Sequence, residues 1–174
     1  QYNQDIEKTD NIVIDNINNK QFQNYILKNE FNIEILKKVY NSLKKKEKIN
    51  EKSIHMFSKV LFKNGYYENA VDVISEFESL NKTNADLSYL KGKIFYKMKK
   101  YTEAEQSFIK AISKQPKSLP YYNALGVLYI KQDKIPSANA AFTKALKNAP
   151  NDLKANKIMG IINLNLKNYK DAVY

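Results

Sequence analysis

The sequence predicts an all-α fold, a right-handed α-solenoid of stacked antiparallel helix pairs. Gly92, Gly126 and Gly160 recur at an interval of 34 residues, and Ala104 and Ala138 recur at the same interval. Apolar residues between these positions follow the 3.6-residue period of amphipathic helices. A fixed period of this length is the signature of a helical repeat array, in which each unit buries its apolar face against its neighbours.

Further positions repeat in the same register. Phe108 and Phe142 follow their alanines by four residues, and Pro116 and Pro150 follow by twelve. Proline ends a helix because it lacks an N–H donor and clashes with the preceding turn. Small, aromatic and proline positions that recur in phase resemble the tetratricopeptide repeat (TPR) family, which implies a TPR-like superhelix.

The recurring glycines need a packing explanation, since a glycine inside a helix costs about 1 kcal/mol relative to alanine. Two helices approach closely only where the facing side chains are small. We therefore expect Gly126 and Ala138 to lie at one helix crossing. The space around them would be filled by Leu125, Tyr129, Phe142 and Leu146.

The register divides the chain into six segments. We expect a largely disordered polar tether over 1–19, a degenerate TPR-like helix pair over 20–50, a TPR-like repeat over 51–84, TPR repeats over 85–118 and 119–152, and an incomplete repeat over 153–174, truncated in its second helix. The second helices are expected to open at Tyr67, Tyr101, Ile135 and Tyr169. In the 51–84 unit Ser58 replaces the glycine, whereas Ala70 keeps the alanine.

Composition argues against an enzyme. The chain has no cysteine and a single histidine, His55, so a His/Cys zinc site and thiol catalysis are excluded. Isolated glycines cannot form a phosphate-binding loop. We expect no cofactor and no metal.

Charge leaves two classes of partner open. The formal net charge is +11, and every basic residue is lysine. This composition indicates an AT-rich genome, so codon bias as well as binding of a negatively charged partner accounts for the lysine content. RNA or another polyanion is the alternative ligand, with tyrosines as stacking platforms. The absence of arginine disfavours nucleic acid, because bidentate contacts to phosphate and guanine are then missing.

The amino-terminal segment bears on location. It begins at Gln1 rather than methionine and is rich in asparagine and acidic residues. We interpret it as the stem of a processed or anchored chain, which favours a lipoprotein of the bacterial envelope or periplasm; the alternative is cytoplasmic. No apolar run near 18 residues is present, so we expect no membrane span in this segment.

The TPR resemblance implies that the first helix of each pair lines a concave groove. Carried over residue by residue, the groove positions are His55, Lys59, Tyr89, Lys93, Tyr96, Lys97, Asn123, Val127, Ile130 and Lys131. The same positions near the two ends hold Lys52, Lys63, Lys154, Lys157, Ile161 and Asn165. Lysines mixed with apolar residues favour a protein segment that carries acidic and apolar residues. The function expected is a non-catalytic protein-interaction scaffold.

One TPR function is disfavoured by the residues themselves. Chaperone adaptors of this family hold a C-terminal aspartate carboxylate with lysine, asparagine and further basic residues on three first helices. The corresponding places are His55, Lys59, Leu90, Pro120 and Ala124 in one frame, and Tyr89, Lys93, Ala124, Lys154 and Ile158 in the next. Neither set assembles the clamp.

The last unit should expose apolar surface. Ile161, Ile162 and Leu164 belong to a helix whose partner stops at Tyr174. We expect this face to be covered by a downstream segment or by self-association of the chain through its C-terminal end.

Overall fold

The computed structural model describes residues 49–80 and 84–171, together with helical positions 33, 34, 37, 40, 41 and 44; of residues 164–171 it describes the backbone alone. The expected tether over 1–19 lies outside these residues. The described part is all helical and contains no strand, so the all-α repeat fold is confirmed. Its helices are α1 (Glu51–Lys63), α2 (Tyr67–Ser79), α3 (Ala85–Lys97), α4 (Tyr101–Lys114), α5 (Leu119–Lys131), α6 (Ile135–Asn148) and α7 (Leu153–Asp171).

The chain forms two compact units, unit 1 over 1–83 and unit 2 over 84–174. Unit 1 contains the pair α1 and α2. Unit 2 contains the pairs α3–α4 and α5–α6, followed by α7.

The core of unit 1 lies between α1 and α2. Ile54, Val60 and Ile74 are completely or almost completely buried. Tyr40, from the preceding helical segment, stacks on Phe57 with ring centroids 5.4 Å apart. Burial of apolar side chains on both helices holds the pair together.

A polar cluster closes one side of unit 1. The Tyr40 hydroxyl donates to Glu76 over 2.8 Å, and Lys44 donates to the other carboxylate oxygen. The hydrogen bonds from Lys44 and Tyr40 lower the pKa of Glu76. Burial raises the pKa of Tyr40, and the Glu76 carboxylate raises it further.

The first helices α1, α3 and α5 end in the same turn. The residue after the C-cap has a left-handed backbone in all three cases, with φ of 81° at Gly65, 61° at Lys99 and 58° at Asp133. The next N–H then donates to a carbonyl five residues earlier, for example Lys100 to Phe95 over 2.9 Å. This is the Schellman motif, which satisfies helix-end carbonyls.

The first helices also begin alike. Asn50, Asn84 and Asp152 each cap a helix with a side-chain oxygen that accepts a backbone N–H three residues on, at 2.9, 2.7 and 2.7 Å. At the equivalent Ser118 no side-chain cap forms, and Pro120 stands in the first turn of α5 instead. Caps of this kind stabilise a helix by roughly 1 kcal/mol.

The glycines make room for phenylalanine rings. A Cβ atom at Gly92 would lie 2.5 Å from Cδ1 of Phe108, and one at Gly126 would lie 2.5 Å from Cε2 of Phe142. The expected crossing partner, Ala138, is fully buried, but the atoms that meet Gly126 first belong to the Phe142 ring. The reason is geometric, because a ring four residues along α6 reaches further than a methyl group.

The register-equivalent positions of unit 1 hold residues of more similar size. Ser58 and Ile74 take the places of glycine and phenylalanine, and both are fully buried. The larger first residue is thus matched by a smaller second one, which conserves volume at the crossing.

The last helix departs from the register. The second helix expected to open at Tyr169 does not begin there, because α7 runs without interruption from Leu153 to Asp171. The turn would require a left-handed backbone at Lys167, the register equivalent of Lys99. A non-glycine residue adopts that conformation at a cost of about 1–2 kcal/mol. At Lys99 this cost is offset by the packing of α4 on α3, whereas among the described residues no atom lies within 4 Å of a Cβ at Gly160.

Candidate functional site

Unit 2 contains a cavity of about 490 Å³ bordered mainly by the first helices α3, α5 and α7. Five of the ten central groove residues line it, namely Tyr89, Lys93, Tyr96, Asn123 and Val127, and so does Lys154 from the groove positions near the C-terminal end. The other lining residues are Phe108, Leu119, Pro120, Ala124, Asp152 and Ile158.

Helical spacing explains why these side chains meet. Residues three, four or seven apart share one face of a helix. Tyr89, Lys93 and Tyr96 have this spacing on α3, and Asn123 and Val127 have it on α5. The first helices therefore present one polar and apolar face to the same space.

Five predicted groove residues lie elsewhere. His55 and Lys59 belong to α1 in unit 1, and Lys97, Ile130 and Lys131 do not line the cavity.

Lys97 and Lys131 stand at helix ends. Like Lys63, they stand in the last turn of a first helix. A positive charge there stabilises the negative end of the helix dipole by about 0.3–1 kcal/mol. Their 34-residue recurrence follows from the repeat itself.

Sequence reasoning missed the part of the wall that comes from outside the first-helix groove positions. Phe108 reaches the cavity from the second helix α4, and Asp152 from the turn before α7. Asp152 could have been found from the sequence, because it occupies the same position of the 34-residue repeat as the helix-capping residues Asn50 and Asn84.

Aromatic rings form the floor beneath Lys93. The Tyr89 ring centroid lies 4.9 Å from that of Tyr121 and 5.9 Å from that of Phe108. The Lys93 ammonium lies 4.6 Å from the Tyr89 ring centroid, within cation–π distance. Burial raises the pKa of Tyr89, so its ring stays neutral beneath the lysine at physiological pH. The ring thereby orients a cationic group in the cavity wall.

Tyr121 anchors this floor. Its hydroxyl donates to Asp86 over 2.7 Å and lies 3.2 Å from Oε1 of Gln115, and the residue is 2% exposed. Burial raises the pKa of Tyr121, and the hydrogen bond to Asp86 adds to the effect. The hydrogen bond ties α5 to the first turn of α3, which fixes the two helices that carry most of the wall.

A second phenol fixes the other end of α5. Tyr129 donates to Glu105 over 2.7 Å, and Lys134 lies 3.7 Å from the second oxygen of that carboxylate. Burial, followed by the Glu105 hydrogen bond, raises the pKa of Tyr129 to about 12.

The charged groups of the cavity are two basic and one acidic. Lys93 and Lys154 contribute ammonium groups, and Asp152 is the carboxylate among the lining residues. One Asp152 oxygen already accepts the Ala155 N–H. The Asn123 side-chain oxygen is buried and accepts no hydrogen bond from a described residue.

Among the described residues, no group of three or more His, Cys, Asp or Glu side chains could hold a metal ion. Of the helices described, none combines the length and the hydropathy needed to cross a membrane.

Two family models match the chain. The model described as anaphase-promoting complex, cyclosome, subunit 3 matches residues 30–111, and a tetratricopeptide repeat model matches residues 123–174. The chain belongs to the tetratricopeptide repeat family. TPR repeats generally serve as protein–protein interaction modules without catalytic activity. No curated protein matches this TPR chain.

Solved TPR structures share its fold. MamA from Desulfovibrio magneticus RS-1 is 21% identical with a TM-score of 0.69, covering 97% of this chain and 90% of that one. A thermophilic TPR protein of Thermus thermophilus is 22% identical with a TM-score of 0.63, covering 75% of this chain and 72% of that one. The first TPR of Spaghetti (RPAP3), bound to the HSP90 peptide SRMEEVD, is 20% identical with a TM-score of 0.60, covering 66% and 90%. At these identities the likeness concerns the fold alone.

Proposed function

We propose that this TPR protein is a non-catalytic adaptor that binds a partner segment carrying apolar and acidic residues in the cavity of unit 2. The observation that carries the proposal is the pairing of an aromatic and aliphatic wall with two lysines in one cavity. A partner of mixed chemistry matches both features.

Apolar contact supplies most of the expected affinity. Tyr96 and Val127 lie on facing helices of the cavity, and Val127 is 40% exposed. An apolar ligand side chain placed between them would bury its own surface together with the surfaces of Tyr96 and Val127. Such burial contributes about 25 cal/mol per Å² before the cost of ordering is subtracted.

The lysines orient the partner in the cavity and speed its association. An exposed ion pair adds only about 0–1 kcal/mol, because water and salt screen it. Lys93 stands over the Tyr89 ring, so its ammonium is restricted before a ligand arrives. We therefore expect acidic residues of the partner to set the binding register and to speed association.

The cavity differs from that of a chaperone adaptor. The five clamp positions of the second frame all line it, but Tyr89, Ala124 and Ile158 occupy three of them. RPAP3, whose TPR was solved with an HSP90 peptide, shows that a related fold accepts an acidic peptide. For this chain the apolar substitutions favour a segment held by side-chain burial rather than by a terminal carboxylate.

A peptide-display selection against the intact chain would test the proposal. Selected peptides should combine an aromatic or aliphatic residue with aspartate or glutamate. Surface plasmon resonance on one such peptide should then show faster dissociation for Tyr96→Ala and slower, less salt-dependent association for Lys93→Ala. Circular dichroism would confirm that both variants stay folded.

Two outcomes would contradict the proposal. In one, neither variant changes binding. In the other, single-stranded RNA competes fully with the peptide and binds with the steep salt dependence of phosphate contacts, which would support the polyanion alternative instead.

A further inference from the structure

The residues that cap the first helices differ in charge. Asn50, Asn84 and Asp152 hold the same position of the 34-residue repeat, and each accepts a backbone N–H three residues on, at 2.9, 2.7 and 2.7 Å. Asparagine and aspartate are about equally good at this position. The capping hydrogen bond at the start of α7 therefore does not require a carboxylate.

Of these three caps, Asp152 is the one that borders the cavity of unit 2. Asn50 caps α1 in unit 1, and Asn84, which caps α3, is not among the cavity-lining residues. Asp152 accepts the Ala155 N–H with Oδ1, so its second carboxylate oxygen is not needed for the cap. The charged cap thus occurs where a capping residue lines the proposed binding site for an acidic partner segment.

Asp152 stands beside a lysine whose helix end attracts acidic side chains. Lys154 lines the same cavity from the first turn of α7, and that turn contains no acidic residue. A lysine and the N-terminal end of a helix both favour a carboxylate. Asp152, two residues earlier, repels a carboxylate, and salt screens this repulsion little because the Debye length is about 8 Å at physiological ionic strength. The attraction at this end of the cavity is therefore weakened.

The other cavity lysine lies on a different helix. Lys93 belongs to α3, and its ammonium lies 4.6 Å from the Tyr89 ring centroid. The neutral ring restrains the ammonium and leaves its charge in place. Packed helix axes are about 8–10 Å apart and α5 stands between α3 and α7, so Asp152 acts more weakly at Lys93 than at Lys154. The two lysines are thus unequal sites for a carboxylate.

Given the proposed function, we propose that Asp152 determines specificity by excluding acidic side chains from the α7 end of the cavity, so that the acidic residue of the partner is placed at Lys93. A repulsive element against the wrong arrangement is a general source of specificity. An acidic and apolar segment then binds in one register rather than two.

Asp152→Asn is the matched variant that tests this role, since asparagine already caps the equivalent helices at Asn50 and Asn84. The probe is an acidic peptide from the display selection, measured by fluorescence anisotropy with the full chain. Asp152→Asn should bind it about two- to fivefold more tightly than the wild type at low salt, with a smaller gain at high salt. A version of the peptide with amides in place of its carboxylates should bind both proteins equally.

A second measurement shows which lysine receives the acidic residue. In the wild type, Lys93→Gln should weaken binding by about two- to fivefold, and Lys154→Gln should weaken it less. In the Asp152→Asn background the two lysine variants should weaken binding about equally, because the second register is then open. A cap with a merely structural role would not change the relative effects of the two lysines.

The proposal is overturned if Asp152→Asn, with an unchanged melting temperature, leaves the affinity unchanged or lowers it. A lowered affinity would indicate that Asp152 binds a basic group of the partner. It is also overturned if Lys154→Gln weakens binding by the wild type as much as Lys93→Gln does. These results leave the proposed function standing, provided that Tyr96→Ala still speeds dissociation. If neither Tyr96→Ala nor Lys93→Ala changes binding, the proposed function and the role of Asp152 are refuted together.

Discussion

At the scale of single residues, the glycine and phenylalanine positions explain the repeat. The sequence alone predicted that Gly126 lies at a close helix crossing, because a helical glycine needs a reason. It could not predict that the Phe142 ring, rather than Ala138, makes the nearest approach. Periodicity places a residue on a face, but the rotamer of a facing side chain depends on the complete three-dimensional packing.

Two glycine variants test this contact. Gly126→Val should destabilise the protein by about 2–4 kcal/mol, since the new methyl groups would overlap the Phe142 ring. Gly160→Val should be close to neutral, because no atom of the described residues lies within 4 Å of a Cβ at Gly160. Urea denaturation of the two variants provides the comparison. Equal losses of stability would show that the ring contact is not what requires glycine.

The Tyr129 phenol should make stability depend on pH in the alkaline range. Its pKa is raised from 10.0 to about 12, so the folded state favours the protonated phenol. This contribution is fully present below pH about 10 and is lost as pH rises through about 12. Tyr129→Phe should therefore lose less stability between pH about 9 and 11 than the wild type. Denaturation curves at both pH values would show it, and parallel losses would contradict it.

At the scale of helices and turns, both ends of the first helices follow the 34-residue register. The capping positions Asn50, Asn84 and Asp152 recur in it, and so do the left-handed positions Gly65, Lys99 and Asp133. The helix boundaries were thus readable from the sequence through Asn148. The register failed at Tyr169, where α7 continues to Asp171 and no described side chain packs on Gly160.

The left-handed turn predicts an asymmetry between two glycine substitutions. Lys99→Gly should stabilise the protein by about 0.5–1 kcal/mol, because glycine relieves the backbone strain and loses part of that gain to chain entropy. Asp133→Gly should change stability less, since aspartate adopts this conformation more readily than lysine. Thermal denaturation of both variants checks the order. A loss of stability in Lys99→Gly would be the contrary result.

At the scale of the whole molecule, the family, the all-α fold and the general function were accessible from the sequence, since each rests on the register. The candidate site was accessible in part. Family positions named Tyr89, Lys93 and Val127, which line one cavity, but also Lys97 and Lys131, which stand in the last turns of their helices. Period alone cannot separate a lysine that meets a partner from one that stabilises a helix end.

Two expectations stay predictions. An envelope location rests on residues 1–19, which lie outside the described part of the chain. Self-association through the C-terminal end rests partly on Leu164, whose side chain is not described, while Ile162 is buried against α6 and Ile161 is exposed. Among the described residues, the exposed apolar surface of α7 is thus smaller than the sequence indicated.

Two substitutions that introduce opposite charges at Val127 test the central claim most directly. Val127 lines the cavity, is 40% exposed, and occupies the register position that holds Lys59 and Lys93 in earlier units. Val127→Lys and Val127→Glu remove the same apolar contact and differ in charge, so the ratio of their dissociation constants for a selected peptide isolates electrostatic recognition. We expect Val127→Glu to bind at least about fivefold more weakly than Val127→Lys at low salt, with a smaller gap at high salt. Equal affinities, or affinities equal to that of the wild type, would contradict binding of an acidic, apolar segment in this cavity.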